Sequence, residues 1–114
     1  MRSRPPRTPD FIAEIRLDPD KRKHFTGDGL ATGFIAAHDF HHPEGGLNDA
    51  VHFLVDRDLL PLGAVGTSEV WLLFPERQAR RLFRGFEFNI HAGVAVVGNG
   101  FITEVLNEQL AKRT

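Results

Sequence analysis

A chain of 114 residues has room for one domain around one hydrophobic core, with little stability to spare. Its 14 Lys and Arg against 15 Asp and Glu give no net charge to support wholesale binding to nucleic acid or membrane, so any basic site must be local. With no cysteine there are no disulfides, thiolate catalysis or cysteine-rich zinc sites, and no Gly-x-x-x-x-Gly-Lys-Ser/Thr loop exists to cradle GTP.

No apolar run approaches the ~20 residues that span a bilayer, and the basic amino terminus is not followed by a hydrophobic region of signal-peptide type. The expectation is a soluble, cytoplasmic protein without membrane contact and without a cofactor.

Residues 1–8 carry Arg2, Arg4 and Arg7 among prolines, a composition that disfavours helix and central strand and predicts a mobile basic arm. The domain proper is expected over 9–107, followed by a short polar tail over 108–114. Phe11 to Leu17 reads as the first strand, and Asp18 to His24 as a turn signalled by Asp-Pro. Leu30 to Phe40 has the small and apolar residues of a second strand. In the stretch Ala50 to Val55, Val51, Phe53 and Val55 alternate with His52 and Leu54, which predicts a strand buried on both faces.

Thr67 to Phe74 supplies a further strand, with Val70, Leu72 and Phe74 on one face and Trp71 and Leu73 on the other. Trp71 is expected to be covered by a neighbouring loop or by the barrel's end. From Pro75 to Gly85 a helical turn is predicted, since proline is tolerated at a helix start and glycine is a natural terminator. The last third reads as a hairpin. Phe86, Phe88 and Ile90 alternate with Glu87, Asn89 and His91, Ala92-Gly93 turns the chain, and Val94 to Leu106 returns. That return is too long for a flat strand, but Gly98 and Gly100 allow it to bend or to approach another backbone closely, which suggests a closed sheet.

The phrase built from Gly85, Phe88, Ile90, Gly98, Gly100, Ile102, Glu104 and Val105 resembles the end of the third domain of translation elongation factor Tu, whose wording is roughly G-x-x-F-x-I-R-E-G-x-x-x-V-G-x-G-x-V-x-x-V-L. Order and spacing agree from about Pro9 to Leu106: Phe11 to Leu17 is similar to the family's opening strand, and the Leu73-Phe74-Pro75 step to the close of its fifth strand. The resemblance implies an all-β fold, a single six-stranded antiparallel β-barrel. It also implies a binding module for a protein or a structured RNA, translation-related and not an enzyme. Two departures concern the Arg-rich segments by which the family holds the T-stem of aminoacyl-tRNA: the G-Y-R-P-Q-F stretch is absent, and Ile90-His91-Ala92-Gly93 replaces the I-R-E-G tip.

Arg77, Arg80, Arg81 and Arg84 fall at i, i+3, i+4 and i+7 of the predicted helical turn, so all four guanidinium groups would face one way. Four cations on one face repel one another unless an anion screens them, which makes them, with His91 at the hairpin tip, the candidate surface for RNA or an acidic partner. An alternative is a metal-binding loop using His38, His41 and His42, with Asp39 and Glu44 alongside. Its spacing matches no zincin, and solvated loop histidines are the simpler reading. A hydrolytic set among Ser68, the histidines and Asp56 or Asp58 has no Gly-x-Ser-x-Gly elbow to support it. A self-associating structural module is the remaining class.

Overall fold

The computed structural model describes residues 2–113. Its strands are β1 (Phe11–Leu17), β2 (Gly29–Ala31), β3 (Ile35–Asp39), β4 (Asn48–Leu54), β5 (Leu59–Pro61), β6 (Val65–Leu72), β7 (Glu87–Ala92) and β8 (Ala95–Val105). Six of them close in the order β1-β6-β4-β3-β7-β8, each pair antiparallel, while β2 and β5 form a separate two-stranded ribbon. The six-stranded antiparallel barrel predicted from the sequence is therefore the fold. Among the described residues no helix is long and apolar enough to cross a membrane.

Closure depends on β8, which pairs with β7 on one side and β1 on the other, from Phe11 opposite Val105 to Leu17 opposite Gly98. A bulge interrupts each ladder, between Ile12 and Ala13 and between Ile90 and His91. Such insertions sharpen the local twist and help a sheet of few strands to curl shut. Gly100 faces inward where the strands press closest. A Cβ there would lie 2.7 Å from the Glu14 carbonyl oxygen and from Phe88 Cζ, and 2.8 Å from Ile15 Cγ2.

The interior is filled by period-two residues from each strand. Phe11, Phe40 and Phe88 form an aromatic centre with ring centroids 5.4, 5.9 and 6.0 Å apart, and Ile15, Leu72 and Ile102 pack around it. Rings at these separations and tilts interact favourably beyond the area they bury. The stretch predicted as one strand from Leu30 to Phe40 is instead divided between β2 and β3. Gly33, at φ +89°, turns the chain out of one sheet and into the other.

The expectation that Ala50 to Val55 is buried on both faces holds for β4 up to Leu54, whereas Val55 beyond it is exposed. Ala50 and Leu54 join the barrel core, while Val51 and Phe53 form a second cluster with Trp71 on the outer surface. The stretch read from composition as a mobile arm, described from residue 2 to residue 8, covers that cluster. The Trp71 indole N–H donates to the Arg7 carbonyl at 2.7 Å, the Arg4 guanidinium lies 5.2 Å from the Phe53 ring centroid, and Arg2 Nε donates to the Gly33 carbonyl. Composition rules out a helix or central strand here, but arginine side chains and unpaired carbonyls can still dock. At the other end, the tail expected to be polar buries Leu110 in the main core and pairs its backbone with Leu82.

Replacing Gly100 with Ala is expected to destabilise the barrel by about 1–3 kcal/mol through overpacking. Gly27→Ala, with nothing within 4 Å of the added carbon, serves as the neutral control. Equal urea midpoints for the two variants would rule out the close approach of β8 to β1 and β7.

Candidate functional site

The arginine segment folds differently from the predicted helical turn. A single 3-10 turn runs over Pro75–Gln78, with proline at its start as expected. Ala79 is then extended, and Arg80 adopts a left-handed φ of +63°. Beyond it the backbone pairs with the tail instead of continuing a helix: Arg80 N–H donates to the Gln109 carbonyl, Leu82 N–H to the Leu110 carbonyl, and Lys112 N–H to the Leu82 carbonyl. Burial of Leu82 and Leu110 favours this pairing over a helix in which like charges at i and i+4 repel.

The four arginines consequently divide by role. Arg77 Nη2 donates to the Gly45 carbonyl at 2.9 Å. Arg81 donates to the Gln78 side-chain oxygen and to the carbonyls of Phe40 and His41, and its guanidinium lies over the Phe86 ring. Partial burial pulls the Arg81 pKa down from its ordinary value. These two side chains fasten the loop after β3. Arg80 and Arg84 are exposed, and neither is in an ion pair among the described residues. Tail pairing brings Lys112 and Arg113 to the same edge. Lys112 Nζ sits 5.5 Å from the Phe83 ring centroid, and Arg113 lines a shallow hollow with Arg80, Glu108 and Gln109. Sequence periodicity misses both, since nothing local shows that the tail folds back here.

His91 does not join this edge as a donor to an external ligand. It lies on the β3–β7 ladder opposite Ala37, and both ring nitrogens are buried without a hydrogen-bond partner among the described residues.

Nor does the histidine loop gather around an ion. Among the described residues no group of three or more His, Asp or Glu is arranged to hold a metal. His38 belongs to β3 and faces the interior, in phase with Ala36 and Phe40, whereas His41 is exposed. Asp39 Oδ1 accepts from the His41 backbone N–H, and His42 Nδ1 accepts from the Glu44 backbone N–H, so both are engaged in local turns.

His38 instead begins a chain of contacts that runs through His52 of β4 to Ser68 of β6. Its Nε2 lies 2.7 Å from His52 Nε2, and His52 Nδ1 lies 2.8 Å from Ser68 Oγ. The Ala36 carbonyl, 2.8 Å from His38 Nδ1, accepts only and so places the proton there. His38 Nε2 then accepts from His52 Nε2–H, and His52 Nδ1 accepts from the Ser68 hydroxyl. All three side chains are fully buried, and Phe34 stacks on His52 at 4.7 Å. Burial is the main cause that lowers the His38 pKa to about 4 and that of His52 well below 6.5. Ser68 therefore has its histidine, but both are fully buried and Asp56 and Asp58 lie outside on an exposed loop. The alternation of His38 and His52 with core residues carries this signal in the sequence, although the pairing between them is tertiary.

No protein-family model matches this sequence, and no curated protein matches it.

On unfolding, both buried imidazoles return to an ordinary pKa near 6.5. Above that pH neither state holds the protons. As the pH falls from about 6.5 towards about 4, the unfolded chain takes up protons that the folded chain refuses, so stability declines. The expected loss from His38 alone is ~3 kcal/mol by the lower end of that window. Thermal melting across it provides the check, and a midpoint unchanged down to pH ~4.5 would contradict the buried neutral pair.

Proposed function

We propose that this chain is a non-enzymatic binding barrel that engages structured RNA through the exposed basic edge carrying Arg80 and Arg84. The observation behind this reading is that these two guanidinium groups stand in solvent without a carboxylate at ion-pair distance among the described residues, Arg80 sharing one hollow with Arg113 and Arg84 another with Lys112. A permanently charged planar fork left free in this way matches phosphate oxygens.

The resemblance to the third domain of elongation factor Tu supports a binding role in the same direction. In that family the barrel contacts tRNA, the exchange factor and the preceding domain, which makes translation the process the reading implies. The chain lacks the family's Arg-rich segments, so its RNA contact lies at a different place on the barrel. Arg77 and Arg81 contribute by holding the loop after β3 rather than by touching the ligand.

Binding of fluorescent tRNA and of an unrelated RNA hairpin, titrated across salt, tests this proposal. For the unmodified chain the affinity is expected to fall steeply with salt through counterion release. The Arg80→Ala/Arg84→Ala variant is expected to bind ~10-fold more weakly with a shallower salt slope and an unchanged melting temperature. Absence of binding by the unmodified chain at low salt would sink the RNA reading and favour an acidic protein surface as the partner.

A further inference from the structure

Residues 2–9 are the part of this chain that most resembles a ligand. Arg2, Arg4, Pro5, Pro6, Arg7 and Pro9 make no strand pairing, yet they lie along the outer face of β4 and β6. They are held there much as a separate peptide would be. The Trp71 indole donates to a main-chain carbonyl, that of Arg7. Arg4 stacks over Phe53 and donates to Glu69 Oε1 at 2.9 Å. Arg7 makes two parallel bonds to Asp10 and a third to the Leu72 carbonyl.

A groove floored by aromatic rings, with a tryptophan N–H aimed at a carbonyl and carboxylates flanking it for arginine, is the chemistry by which proline-rich peptides are recognised. Proline removes backbone donors, leaves carbonyls unpaired, and lowers the entropy lost on binding. Here Val51, Phe53 and Trp71 make the floor, and they form an apolar cluster separate from the barrel core.

The groove also continues past the arm. A hollow of about 720 Å³ is lined by Arg2 and Arg4 of the arm and by Leu54, Asp56, Arg57 and Asp58 of the barrel. Asp58 has no cation partner among the described residues, and Asp56 meets only its neighbour Arg57 at 3.7 Å. A longer basic peptide can use these carboxylates, which the arm leaves unused.

We propose that the outer face of β4 and β6 is a binding groove for an extended peptide, rich in proline and arginine, from a partner protein, and that residues 2–9 are its occupant in cis. This stands independently of RNA binding at the opposite charge. An arm from a second copy offers only the contacts already made in cis, where the tether supplies an effective concentration of order mM. A partner peptide that reaches Asp56 and Asp58 gains contacts the arm lacks, and so outcompetes it.

The probe is a labelled peptide with the sequence of residues 2–9 preceded by two arginines, titrated into the full chain and into the Arg2→Ala/Arg4→Ala variant, whose arm is loosened. Saturable binding, read as a rise in the anisotropy of the label, is expected in both, ~10-fold tighter for the variant because the cis competitor is weakened. A peptide of equal charge with alanine at each proline is expected to bind several-fold more weakly. Asp56→Asn/Asp58→Asn, at exposed positions, is expected to weaken the arginine-extended probe several-fold without moving the melting temperature. The proposal is overturned if the label shows no saturable binding, if the loosened variant binds no tighter, or if the alanine peptide binds equally well.

Discussion

The carboxylate of Asp10 carries more of this structure than any other single group. It is fully buried immediately before β1, where an unpaired charge would be prohibitively unfavourable, and it takes a bond from every direction. Oδ1 accepts from Arg7 Nη1 and Asn107 Nδ2, and Oδ2 accepts from Arg7 Nη2 and the Leu72 backbone N–H. Its own N–H donates to the Val70 carbonyl, and its carbonyl accepts from Leu106 and Asn107. One residue thus joins the arm, the end of β6 and the chain just past β8. Those segments must meet for β1 to be enclosed between β6 and β8, so closing the barrel and satisfying the buried anion are one event. The bond also raises the Arg7 pKa, as expected for a cation held by a carboxylate.

A second polar device works inside. His38, His52 and Ser68 come from β3, β4 and β6, and their hydrogen bonds form only if all three strands are in the observed register. A slip of one residue would turn an imidazole outward and a neighbour inward. The neutral chain of donors and acceptors adds directionality, because the Ala36 carbonyl fixes the first proton and each later one follows.

The hairpin and barrel were legible because they are written in short-range pattern. Phe86, Phe88 and Ile90 keep strict alternation, and Gly98 and Gly100 lie where β8 presses against β1. What eluded pattern is tertiary. Strands β2 and β5 have three residues each, too few for a period to show. The spacing of Arg77, Arg80, Arg81 and Arg84 fits a helix, but Arg80 turns left-handed because Leu82 and Leu110 gain more from burial and pairing than a charged helix would. His38 reads with the loop that follows it because Asp39, His41, His42 and Glu44 crowd beside it in the sequence, whereas its alternation with Ala36 and Phe40 turns it inward. The arm was read from composition, and composition cannot register an indole N–H waiting for a carbonyl.

The same tertiary contacts decide which charges remain for other molecules. Counted along the sequence, the cations are spread through the chain and balanced by carboxylates. In the fold, Arg4 and Arg7 are matched by Glu69 and Asp10, Arg22 by Asp28, and Arg77 and Arg81 by loop carbonyls. The exposed guanidinium groups of Arg80 and Arg84 then stand beside Arg113 and Lys112 of the folded-back tail respectively, while Asp56 and Asp58 stand at the open end of the arm groove. A near-neutral chain has in this way left arginines without an ion-pair partner at the tail edge and a carboxylate without one, Asp58, at the arm groove, among the described residues. Because each is created by a terminal segment docking on the barrel, displacing either segment changes the charge that the barrel presents.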